Sequence, residues 1–117
     1  PDNDYSGWQL MEALMALMGG VKTKIIEIGA WNMQGTASIS VAHGVSDFLN
    51  VREVSVMIIN DSVSTLAPII FNNSGSYQIG ATTIDLNRAS AGDFDTTGFN
   101  DASMNRGYIV IRYVDAL

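Results

Sequence analysis

The chain has 117 residues, 47% of them apolar and only 15% charged, with 12 acids against 6 bases and no cysteine. That length and apolar share suit one packed domain, or one domain with an appendage, and are wrong for a disordered tail. A net charge of −6 with no run of three bases argues against phosphate-backbone binding, and the lack of cysteine excludes disulfides, thiolate chemistry and Cys-based zinc sites.

The chain opens Pro1-Asp2-Asn3-Asp4 without a Met, which predicts a fragment or a processed product. The stretch WQLMEALMALM follows at 8–18. Ser6 as N-cap and Gly19-Gly20 as a stop predict a helix over 6–18. Trp8, Met11, Met15 and Met18 recur at helical spacing, and Leu10, Leu14 and Leu17 form a second stripe beside them. The stretch is too short to cross a bilayer, which takes about 20 apolar residues. Acids rather than bases precede it, so it does not read as a signal peptide.

A short isolated helix is marginal in water, and two stripes ask for apolar neighbours on more than one side. Self-association meets that demand, and a three-fold bundle covers more surface per helix than a two-stranded coil. The sequence therefore predicts a homotrimer held through Trp8, Leu10, Met11, Leu14, Met15, Leu17 and Met18. The alternative is that the helix packs along one face of its own domain. The predicted organisation is an oligomerisation or anchoring helix at 1–20 and a β-sandwich domain at 21–117.

After Gly20 the helix formers give way to Ile, Val, Ser and Thr in alternation. Strands are expected at 21–28, 37–42, 51–60, 67–72, 76–79, 82–88 and 107–114. Ala37, Ile39 and Val41 point inward against Ser38, Ser40 and Ala42. The strand carrying Val54, Val56 and Ile58 is apolar on its other side too, at Met57 and Ile59, so it is central or also faces a partner. Turns fall at 32–35, at 60–65 and at 72–76, the last read as a hairpin-like loop between two strands. The longest irregular stretch is 89–107, and loops of such length are often functional. The fold class is all-β, an antiparallel sandwich of about seven strands preceded by one short α-helix.

Candidate chemistry is sparse. His43 has acids and serines near it in sequence but no nucleophile elbow, so it reads as a turn histidine making local hydrogen bonds or, less simply, as a catalytic base. Asp93, Asp95 and Asp101 alternate as in calcium loops yet miss the EF-hand pattern, and the plain alternative is a solvated acidic loop. Asn60 and Asp61 suit a turn closed by side-chain to backbone bonds. Asp61, Asp85 and Asp95 could serve glycoside cleavage only if two of them faced across a cleft. Arg106 is expected to pair with an acid of the long loop and pin it. Trp31, Tyr77, Phe94, Phe99 and Tyr108 lie at or near loops, and aromatic faces beside Asp and Asn are what sugar binding needs. The candidate ligand residues are Trp31, Asp93, Phe94, Asp95, Phe99, Asp101 and Asn105. No catalytic residue, metal or cofactor is expected.

Ile28-Gly29-Ala30-Trp31-Asn32-Met33, Val41-Ala42-His43-Gly44, Asn60-Asp61 and Asn105-Arg106-Gly107 together carry a resemblance. Over residues 24–114 the chain resembles a β-sandwich domain of fibre and other virion proteins of tailed bacteriophages, notably crAss-like phages of Bacteroidetes. More distantly, its layout is similar to the H-type lectin domain, whose members assemble as trimers or hexamers that bind sugars. The resemblance implies a non-enzymatic virion structural protein, a trimeric fibre or knob domain on the particle surface that attaches to a host-surface glycan or receptor. The alternative is a capsid-decoration or tail-adaptor module without a receptor. A hydrolase of surface polysaccharide is a third class. Expected partners are two further copies of the chain, other virion proteins and a host-surface glycan, without nucleic acid or membrane insertion.

Overall fold

The computed structural model describes residues 20–114. The helix expected over 6–18, with Trp8, Leu10, Met11, Leu14, Met15, Leu17 and Met18, lies outside the described residues. Within them, seven strands form two antiparallel sheets. They are β1 Lys22–Glu27, β2 Ser38–Ala42, β3 Val51–Ile59, β4 Leu66–Pro68, β5 Gly75–Ile79, β6 Thr83–Arg88 and β7 Gly107–Tyr113. One sheet runs β1-β7-β3-β4 and the other β2-β6-β5. All strands but β4 lie within one residue of where the alternation puts them.

Period-two patterning explains that agreement. In β2, Ile39 and Val41 turn toward the four-stranded sheet, while Ser38, Ser40 and Ala42 stay exposed. Val41, Ile84 and Leu86 from the three-stranded sheet meet Val56, Ile58, Ile109 and Ile111 from the four-stranded one. Trp31, Met33 and Phe94 from loops complete the core at one end. As β3's apolar pattern suggests, it is an inner strand, flanked by β7 and β4.

The fourth strand and the loop after it differ from expectation. Instead of running from 67 to 72, β4 ends at Pro68, which has no N–H to give. Ile69 N makes one last bond to Val56 O at 3.1 Å. The Ile70 carbonyl then accepts from the amides of Asn73, Ser74 and Gly75, and Ser74 Oγ accepts from Ile70 N at 2.8 Å. Asn72 adopts a left-handed φ of 62°. The result is a corner that carries the chain from one sheet to the other, because β5 pairs with β6 and not with β4. The segment 72–76 is therefore not a hairpin-like loop.

Gly107 fixes how β7 enters the centre of its sheet. Its φ is 150°, and a Cβ there would overlap the Met57 carbonyl oxygen on β3. Only glycine allows that approach. The preceding residue, Arg106, is thereby placed at the edge of the core and not in solvent.

Candidate functional site

The long loop between β6 and β7 is bracketed by two arginines, and both reach the same turn. Arg88 closes β6. Its Nε donates to Met33 O, and its Nη2 lies 3.3 Å from Gln34 O and 3.6 Å from Asp95 Oδ1. Arg106 precedes β7 and is 0% exposed. Its Nε donates to Trp31 O at 2.9 Å and its Nη1 to Ile59 O at 2.9 Å. Its Nη2 donates to Asp101 O at 2.8 Å and pairs with Asp61 Oδ1 at 2.9 Å. The guanidinium also sits 5.7 Å from the centre of the Phe99 ring.

Asp61 is thus the acid that Arg106 finds, and it comes from the β3–β4 turn instead of the long loop. The loop contributes a carbonyl. Asp61 still holds the loop down, because its carboxylate accepts from Asn100 N at 3.1 Å and from Asp101 N at 3.2 Å, while its own N–H donates to Gly98 O at 2.9 Å. The turn-closing role expected of both residues falls to Asn60 alone, whose Oδ1 accepts from Ser64 N and Thr65 N. A buried arginine with its donors engaged and its charge met by a carboxylate is the arrangement that burial demands.

The turn at 31–36 is built to receive these bonds. Trp31 Nε1 donates to Thr36 O at 2.9 Å, Asn32 Oδ1 accepts from Gly35 N at 2.8 Å, and Met33 N donates to Phe99 O at 2.9 Å. Three of the four motifs that carry the sequence resemblance, Trp31-Asn32-Met33, Asn60-Asp61 and Asn105-Arg106-Gly107, therefore meet in one network. The fourth sits at another hairpin. His43 is buried, its Nδ1 accepts from Val45 N at 3.0 Å, and its Nε2 lies 2.8 Å from Gly80 O. Those partners make Nε2 the protonated nitrogen and bind β2's end to the β5–β6 turn.

The named candidate residues divide accordingly. Trp31 and Phe94 are core residues, 3% and 2% exposed, with no open ring face. Phe99 is half-buried, edge-on to Phe94 at 5.0 Å between ring centres. Asp95 accepts from Ala91 N at 2.8 Å beside Arg88. Asp101 accepts from Ser103 N at 2.7 Å and from Ser103 Oγ at 2.6 Å, and these bonds hold its carboxyl below the ordinary value of 3.8. Asn105 Oδ1 accepts from Gly29 N at 2.8 Å, and its amide donates to Glu27. Asp93 is exposed. Asp85 lies apart, on the outer side of the three-stranded sheet with Ser40 and Thr83. Among the described residues no three His, Asp or Glu side chains converge as metal ligands.

No protein-family model, curated protein or solved structure matches the chain. What the arrangement offers is a loop end locked from within, presenting Asp93, Thr97 and Asn100 on a fixed frame. Arg106 stands out in the sequence, but Asp61 as its partner and Arg88 do not. The one available signal for Arg88 was its place immediately before the long loop, mirroring Arg106 after it.

Proposed function

We propose that the chain is a non-enzymatic structural subunit of a bacteriophage virion: a β-sandwich knob or fibre module that assembles as a homotrimer and turns its locked loop end toward the host surface. One observation carries this reading. The distinctive polar residues of the sequence, Arg106, Asp61, Asn60, Asn105 and His43, are spent on bonds inside the domain. Such a use suits a rigid display element better than a reaction centre. The apolar stripes at 8–18 supply the reason to assemble.

The ligand at the loop end would be a host-surface glycan or receptor, bound weakly at each subunit and strengthened by the three-fold repeat, which adds about a hundred-fold or more in avidity. The burial of Trp31 and Phe94 favours a second reading, a capsid-decoration or tail-adaptor module without a receptor, since the aromatic platform for a sugar is reduced to the partly exposed Phe99.

The native mass of the assembly with and without residues 1–20 tests the assembly. A trimer that falls to a monomer on truncation supports it, an unchanged trimer moves the interface to the sandwich, and a monomer in both forms refutes it. Glycan-array binding by the full chain then separates attachment from the adaptor role, which predicts silence on the array and binding to a capsid or tail protein.

A further inference from the structure

The outward side of the four-stranded sheet carries an apolar patch set among polar side chains. In register across it, Ile25, Val110 and Ser55 form one row, Glu27, Tyr108, Met57 and Pro68 the next, and Ile59 with Leu66 a third. The residues between them along each strand, such as Ile26, Val56, Ile58, Ile109 and Ile111, pack the core, so alternation turns these rows away from it. Ile25 is 64% exposed and Leu66 46%. At the Leu66 end the face opens into a groove of about 290 Å³ lined by Ile59, Val63, Ser64, Thr65 and Leu66. Its rim is polar, with Arg112 and Glu53 at one end and Glu27 held by Asn105 at the β1 side. A contiguous apolar face with a polar rim marks a contact surface.

We propose that residues 8–18 of the same chain fold back over this face and lay one of their two apolar stripes on it. The chain path supports this occupant. β1, an edge strand of this very sheet, begins two residues after Gly20. Gly20 has a left-handed φ of 72°, the conformation that ends helices and reverses the chain. The lengths agree as well. A helix of eleven residues would span ~16 Å, and a six-residue strand such as β1 spans ~20 Å.

Area argues against the competing occupant, the same face of a second copy. Nine outward positions, each taking ~4.8 Å across the strands and ~6.7 Å along them, give a face of roughly 300 Å². A stable interface between free partners covers about 800 Å² on each. A helix about 10 Å wide fits the face, and being tethered it avoids most of the entropy lost on association. The other stripe stays outward for further copies. The proposal rests on the assembly reading for that second stripe alone.

The absence of cysteine makes the test clean. In the full chain, Ala13→Cys beside the leucine stripe and Met15→Cys in the methionine stripe are each combined with Ser55→Cys on the outward face. A short bis-maleimide is applied, and the native mass is measured on the same samples. The control pairs Ala13→Cys with Ser38→Cys on the outer side of the other sheet. The expected result is a product cross-linked within one chain from one of the two test pairs, formed about ten-fold faster than from the control. Products only between chains, or none above the control, overturn the strap. A trimer without the internal cross-link leaves the assembly reading standing, whereas a monomer with it keeps the strap and removes the assembly.

Discussion

Arg106 gathers four acceptor residues from three separated parts of the chain: Trp31, the end of β3 with its turn at Ile59 and Asp61, and Asp101. Its planar fork suits them, and a lysine with three donors on a flexible stem does not. Arg106→Met leaves Asp61 without its cation and three carbonyls without their donor. We expect a loss of about 3–5 kcal/mol in urea unfolding, the range for breaking a buried pair from one side. Arg106→Lys should recover less than half of that, and full recovery would show that charge alone, without the forked geometry, holds the loop. Asp101 adds a pH term. Its carboxyl is held below 3.8 first by the Ser103 side-chain bond and then by the Ser103 backbone bond. The native state therefore binds fewer protons than the unfolded chain, so this stabilisation is complete above the ordinary aspartate range and fades as pH falls through the native value. Ser103→Ala removes the larger cause. Acid unfolding of that variant should depend less steeply on pH below about 4 than the parent does, with little change at pH 7 in the slope.

Among the elements, the corner after β4 is where local polar bonds override an apolar run. Ala67 to Asn72 reads as a strand, yet Ser74 reaches back to Ile70 and folds the segment out of the sheet. Ser74 is buried, so Ser74→Ala leaves the Ile70 amide unpaired. We expect a loss of about 1–3 kcal/mol and faster hydrogen exchange at Ile70, and protection unchanged there would remove the corner's explanation. The other strands were legible because alternation is a local signal: Ile39 and Val41 against Ser38 and Ser40 suffice to place β2. Sheet membership was not, since β7 pairs with β1 and β3 across long stretches of chain and no local pattern records it. The same limit applies to the site. Arg106 stood out beside a glycine, but Asp61 comes from the turn after β3, and only the folded register brings them together. Trp31 and Phe94 looked like loop aromatics and proved to be core, because the loops that carry them are pinned inward by Arg106 and Arg88.

For the whole molecule the decisive question is whether the outward face of the four-stranded sheet is wet. On a bare sandwich, Ile25 is a surface residue, and Ile25→Lys should change stability by no more than about 0.5 kcal/mol while improving solubility. If the amino-terminal segment lies on that face, the same substitution removes an isoleucine contact worth about 1.5–3 kcal/mol and puts a charge beneath apolar side chains. Thr23 belongs to the same strand and the same side, but its row, with Arg112 and Glu53, is polar. Thr23→Lys should therefore stay near neutral in either case, which separates loss of a covered contact from a general intolerance of lysine in β1. Urea unfolding of the two full-length variants, at one protein concentration to hold any assembly fixed, should show Ile25→Lys less stable than Thr23→Lys by about 1 kcal/mol or more. Equal stabilities would mean that water reaches Ile25, and that both apolar stripes of residues 8–18 are left for contacts between copies.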